Sequence, residues 1–273
     1  MRSSVLSGRR RVLVTTAVTV LVTTAGLVAG ALPAAAATVT YTALGDSYSS
    51  GVGTRTYISD GTSCQRSTYA YPELDASSLG ATLTFAACGG AKVADVLNTQ
   101  LGSLNASTTY VTVSVGGNDA GFSDVIQQCA LPWPWTCESQ IASAEAFITN
   151  TLPGRLDQLY TAIRTKAPAA KVVVVGYPRL FNVSDCQSLA RISPSEQSEL
   201  NGGADLLDNT MHTRATAHGF GFVDPRTAFT GHAICDSTEW INGLSNPTSE
   251  SYHPNRTGHS SGYAPLVKAA LLA

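Results

Sequence analysis

Val39-Thr40-Tyr41-Thr42-Ala43-Leu44-Gly45-Asp46-Ser47-Tyr48-Ser49-Ser50-Gly51 reads as a short strand that stops at a glycine and turns at once. Val39–Leu44 is too short for a helix, and its apolar residues run on rather than alternate. That is the pattern of a strand covered on both faces. Four more runs of this kind follow: Ala81–Ala86, Tyr110–Val115, Lys171–Gly176 and Gly219–Val223. Helical spacing fills the intervals. Val93, Val96 and Leu97 mark Lys92–Leu101, and a longer stretch runs from Ser139 to Ala167 with a bend expected at Pro153. Pro194–Ala217 opens well, with Ser193 as cap, Pro194 in first place and Glu196 at the positive helix end. Gly258–Leu272 reads as a final helix. Alternating strands and helices predict an α/β domain with a parallel sheet between helix layers. Its ligand site belongs at the carboxyl ends of the strands.

The residues found there carry chemistry. A serine hydroxyl needs a neighbouring base to act as a nucleophile. Taken alone, Ser47 reads equally well as a turn serine beside Asp46, a helix cap. Three later motifs change that reading. Phe85-Ala86-Ala87-Cys88-Gly89-Gly90-Ala91 closes the second strand, and its glycines let a backbone N–H approach a substrate oxygen. Gly116-Gly117-Asn118-Asp119 closes the third strand and offers a carboxamide donor to developing negative charge. Ser251-Tyr252-His253-Pro254-Asn255 supplies a histidine base late in the chain. The other histidines, His212, His218, His232 and His259, sit in helix or loop contexts without evident partners and are expected on the surface. No G-x-S-x-G elbow occurs, which argues against an ordinary α/β-hydrolase.

In this order the motifs resemble those of the SGNH (or GDSL) hydrolase family, over nearly the whole chain beyond residue 37. The resemblance implies a three-layer α/β/α fold with a central, flavodoxin-like, five-stranded parallel sheet. It implies Ser47 as nucleophile and His253 as base. The oxyanion hole would be the Ser47 N–H, the Gly90 N–H (rather than Gly89) and the Asn118 amide. It also implies a departure. The family usually carries Asp three residues before the histidine, where this chain has Glu250. Some secreted members use a main-chain carbonyl two residues before, here that of Ser251. Either acceptor would fix the imidazole tautomer, and Ser251 is preferred because Glu250, longer by one methylene, overshoots.

Residues 1–37 read as a secretory signal peptide, with residues 38–273 as the hydrolase domain. Arg2, Arg9, Arg10 and Arg11 precede the uncharged Val12–Ala31, and Ala35-Ala36-Ala37 forms a cleavage site. The stretch is also long enough for a membrane anchor, but the cleavage site favours removal by the general secretory route. Without those four arginines the chain holds 13 basic against 19 acidic residues, a formal charge of −6. Such a surface repels phosphate backbones, so nucleic acid is excluded as a partner. No later stretch can span a bilayer. No oligomer signature appears, so a monomer is expected.

Six cysteines in an exported chain predict three disulfides, with fifteen possible pairings. No C-x-x-C or H-E-x-x-H spacing points to a metal, and no cofactor is called for. The resemblance to secreted actinobacterial lipases and phospholipases A1 implies neighbour pairing: Cys64–Cys88, Cys129–Cys137 and Cys186–Cys235. It implies lipid esters as substrates. A carbohydrate acetylesterase is the alternative within the family, and a non-catalytic binding module the alternative outside it. Cys129-Ala130-Leu131-Pro132-Trp133-Pro134-Trp135-Thr136-Cys137 would close into a stiff ring. Its tryptophans either pack inward or touch a lipid interface.

Overall fold

The architecture follows from which strands are covered. In a computed structural model of the chain, which describes Met1, Gly8, Leu13 and residues 38–132, 134–186 and 191–273, five parallel strands form one sheet in the order β2-β1-β3-β4-β5. They are β1 Thr40–Gly45, β2 Thr82–Phe85, β3 Tyr110–Ser114, β4 Lys171–Val175 and β5 Gly221–Val223. The signal peptide expected over residues 1–37 falls outside the described residues, apart from Met1, Gly8 and Leu13, and so does Trp133. Thr38–Ala273 forms one compact unit.

β1, β3 and β4 are buried along almost their whole length, which is why their sequences read as continuous apolar runs. β2 alternates exposed threonine with half-buried Leu83 and Phe85, as an edge strand should. Helices α2 (Tyr71–Leu79) and α8 (Ala264–Leu272) pack together on one face. Helices α3 (Val93–Asp95), α6 (Leu152–Lys166) and α7 (Pro194–Ala217) pack together on the other, completing the three layers. The sheet order is the flavodoxin-like one, whose chain reverses direction across the sheet between β1 and β3.

Two expected helices differ in detail. The Ser139–Ala167 stretch is two helices, α5 (Glu138–Asn150) and α6, because Pro153 in the first turn of α6 cannot continue the α5 ladder. Lys92–Leu101 is one α-turn followed by wider and tighter turns, Val96–Gln100 and Leu101–Ser103. The Gly258–Leu272 helix likewise begins with a widened turn at Gly258–Tyr263, ahead of Pro265. α7 spans the expected residues, and Ser193 and Glu196 form a reciprocal capping box. α1 (Ser47–Ser50) starts at Asp46, the cap that the sequence offered, while α2 and α4 (Phe122–Cys129) have no counterpart in the sequence reading.

The disulfides join Cys64 to Cys88, Cys129 to Cys137 and Cys186 to Cys235. Among the described residues no helix is long and apolar enough to cross a membrane. The one group of metal-type ligands among them, Cys129, Cys137 and Glu196, has both sulfurs bonded to each other.

Candidate active site

Register brings the motifs together. Gly45 at the end of β1 lies opposite Ser114 at the end of β3. Beyond β2, the Cys88 N–H donates to the Gly45 carbonyl at 3.0 Å. Three strand ends therefore deliver Ser47, Gly89-Gly90 and Gly117-Asn118 to one rim.

The turn into Ser47 is held from several sides. Gly45 has φ +124°, and a Cβ there would lie 2.3 Å from the Ser114 carbonyl oxygen, so only glycine lets β1 and β3 approach this closely. The Gln100 carboxamide brackets the Gly45 peptide, accepting from its N–H and donating to its C=O, both at 2.8 Å. Asp46 caps α1 by accepting from the Tyr48 N–H at 3.0 Å. Its second oxygen accepts from the Tyr177 hydroxyl. Burial pushes the Asp46 carboxyl up to about 7, against the pull of those donors.

Ser47 Oγ lies 2.8 Å from His253 Nε2, and His253 Nδ1 lies 2.8 Å from the Ser251 carbonyl oxygen. That carbonyl can only accept, so Nδ1 carries the proton and Nε2 is the acceptor facing Ser47. Burial lowers the imidazole to about 4, with the Ser251 carbonyl pulling the other way. The ring is neutral at pH 7, as a proton acceptor must be. Glu250 points elsewhere. Its Oε1 accepts from the Tyr57 hydroxyl at 2.6 Å, and its Oε2 lies 3.5 Å from Arg55 Nε.

The three candidate donors differ usefully from their neighbours. The Gly89 N–H is spent on the Cys64 carbonyl at 2.9 Å. Among the described residues the Ser47 and Gly90 N–H groups donate to no backbone carbonyl, and nothing stands within 4 Å of the space a Gly90 Cβ would take. Asn118 Nδ2 gives one hydrogen to the Ala91 carbonyl at 3.1 Å, which fixes the amide and leaves its other hydrogen available. Asp119 braces the same loops, accepting from the Val93 N–H at 2.8 Å and from Arg155 at 3.0 Å.

Ser47, Asn118 and His253 open onto a cavity of about 380 Å³. Phe122, Val125, Ile141, Ile148, Leu180 and Leu207, from α4, α5, α7 and the segment after β4, give it an apolar wall. Gln65, Gly89 and Gly90 line it beside Ser47.

Residues 43–260 match the GDSL-like Lipase/Acylhydrolase family. The chain belongs to that family. It is a carboxylic-ester hydrolase of the GDSL type, and this hydrolase is 46% identical to Lipase 1 of Streptomyces coelicolor, over 84% of its own length and 86% of that protein. It matches the crystal structure of an extracellular lipase from Streptomyces rimosus with a TM-score of 0.81 and 44% identity, covering 85% of this chain and 99% of that one. It matches a phospholipase A1 from Streptomyces albidoflavus with a TM-score of 0.80 and 43% identity, covering 86% of this chain and 100% of that one.

Of the remaining histidines only His259 departs from the expectation of surface groups: His212 is exposed, and His218 and His232 are partly exposed. His259 is fully buried, accepts from the Tyr71 N–H at 3.3 Å and has its ring lowered to about 3 by burial. His218 Nε2 lies 2.9 Å from Asp157, His232 stacks on Trp240 at 3.7 Å, and His212 stacks on Phe222 at 4.8 Å. The partners of His218 and His259 lie 61 and 188 residues away and leave no local mark in the sequence. Sequence reasoning also missed Gln100, Tyr177 and Asp119 as braces. Tyr177 had one signal, its place directly after the carboxyl end of β4.

Proposed function

We propose that this GDSL hydrolase is a secreted serine esterase acting on lipid esters, lipase or phospholipase A1 in type. The observation that carries the reading is the 2.8 Å contact between Ser47 Oγ and His253 Nε2 at the mouth of a cavity with an apolar wall. The acyl chain lies along that wall. Ser47 attacks the ester carbonyl and passes its proton to His253. The Ser47 and Gly90 N–H groups and the Asn118 carboxamide hold the oxyanion. His253 then protonates the leaving alcohol, and in the second half it takes a proton from the water that releases the acyl group. The Ser251 carbonyl keeps the imidazole in the productive tautomer throughout.

Export is supported by three disulfides and by the apolar leader pattern of residues 1–37. The likeness to the extracellular lipase of Streptomyces rimosus and to the phospholipase A1 supports lipid substrates. The Cys129–Cys137 ring holds Trp135 at 62% and Leu131 at 42% exposure, which suits contact with a lipid–water interface.

The test is acyl release from acetyl, medium-chain, triacylglycerol and phosphatidylcholine esters by the purified mature chain, with Ser47→Ala and Trp135→Ala beside it. Release from long-chain lipids should vanish in Ser47→Ala, a loss of about 10⁴-fold or more. Trp135→Ala should slow dispersed lipid several-fold more than dissolved ester. Activity confined to acetyl esters would replace the reading with a carbohydrate acetylesterase, and activity on none with a different ester substrate or a binding module.

A further inference from the structure

Gln65 stands apart from the other residues around Ser47. It is a non-glycine residue with φ 52°, in the left-handed region that a long side chain seldom adopts, and it lines the cavity beside Gly89 and Gly90. The loop around it is pinned on every side. Cys64 is bonded to Cys88, and its carbonyl accepts from the Gly89 N–H at 2.9 Å. The Arg66 guanidinium reaches Asp60 at 2.8 Å and the Ala87 carbonyl at 3.2 Å. The Ser67 N–H donates at 2.8 Å to the Ser50 carbonyl, at the end of the helix that carries Ser47. Thr62 Oγ1 donates to Asp60 at 2.7 Å and accepts from Arg66 at 3.1 Å, so both side chains are already partnered. The Gln65 carboxamide makes no hydrogen bond to the described residues. A strained backbone held this firmly aims a free polar group at the site.

The chemistry says what that group faces. If the acyl chain follows the apolar wall from α4, α5 and α7, the alcohol half of the ester lies along the remaining wall. Val52, Gln65, Gly89 and Ser249 are among the lining residues outside that apolar wall. We infer that Gln65 is a specificity-determining residue whose N–H donors bind an oxygen on the alcohol side of a glycerolipid, either on the glycerol backbone or on a headgroup phosphate. This inference rests on the lipid-ester reading proposed above and extends it to the leaving group.

The experiment compares three substrates with one acyl chain: an ethyl ester, a diacylglycerol and a phosphatidylcholine. The variants are Gln65→Gly, which suits the left-handed backbone and so preserves the loop, and Gln65→Asn, which keeps a shorter amide. A lost hydrogen bond to a neutral glycerol oxygen is read as roughly a two- to ten-fold fall in kcat/KM, and one to an anionic phosphate as roughly a ten- to hundred-fold fall. The expected result is that fall for the glycerolipids, with the ethyl ester changed less than two-fold and partial recovery in Gln65→Asn. A fall on both glycerolipids places the contact at the glycerol backbone, and a fall on phosphatidylcholine alone places it at the phosphate. Equal falls on all three substrates, or no fall on any, would overturn the inference. Wild-type enzyme that leaves all three esters intact would instead refute the lipid-ester reading.

Discussion

Ser47 and His253 meet at 2.8 Å but are held by opposite means. Ser47 stands at the end of a sheet strand. Its approach is fixed by strand pairing, by the Asp46 N–H to Ser114 carbonyl bond at 2.9 Å and by the Gln100 bracket. His253 stands in a late loop with neither strand nor long helix. A short antiparallel contact between Ile241 and Pro254 closes that loop on itself. Side chains and amides then tie it to the first half of the chain. The Tyr48 hydroxyl donates to the Tyr252 carbonyl at 2.6 Å, Asn242 Nδ2 to the Gly53 carbonyl at 2.9 Å, and Glu250 accepts from Tyr57. The proposed nucleophile is thus placed by the sheet, and the proposed base by side-chain contacts that exist only once the domain has closed. Buried Glu250, three residues before His253, belongs to that second kind of support.

After Ser47 itself, the largest effect should come from the sheet-placed side. Asn118→Ala should lower kcat by about 10²–10³-fold, the cost of one oxyanion donor, while the melting temperature stays near that of the wild type. A loss below ten-fold would mean that Asn118 is only a brace for Ala91, and the contrast would have to be redrawn.

The next test concerns the base. With the ring lowered to about 4, kcat/KM should hold through pH 6 and then fall about ten-fold per pH unit below pH 4, because protonated His253 cannot accept the Ser47 proton. The same shift has a stability sign. The unfolded ring takes its proton near 6.5 and the folded one near 4, so the stability it carries is complete above 6.5 and is lost as pH falls toward 4. A rate profile that breaks near 6.5 and keeps that break in Asp46→Asn, which removes the carboxyl raised to about 7 beside Ser47, would show the loop opening enough to hydrate the imidazole.

The smallest effect sharpens the comparison most. Glu250→Gln should cost less than about ten-fold in kcat, since the amide oxygen can still accept from Tyr57 and the Ser251 carbonyl still orients His253. A loss of several hundred-fold with a normal fold would make Glu250 the partner of His253 and assign the Ser251 contact a lesser part.

The legibility of the site follows the same division. β1, β3 and β4 were readable because central strands must be apolar on both faces, and the turn motifs because their glycines serve strand ends. The helix break at Pro153 was readable as a bend, though not as a full separation. α2 was missed because its helical face is barely marked: Tyr71, Pro72, Asp75 and Ala76 are its buried residues.

Sequence alone determined the layered fold, the family and the positions of Ser47, Gly90, Asn118 and His253, since each is tied to a strand end or a local motif. Tertiary structure decided that Glu250 turns to Tyr57, that His259 is buried, and that the Gly89 N–H is spent on the Cys64 carbonyl. It also decided that Gln65 reaches the cavity. Those outcomes depend on partners up to about two hundred residues away, as Tyr57 is from Glu250. A hydrogen-bond partner at such distance leaves no periodicity or spacing to read, because only packing selects it.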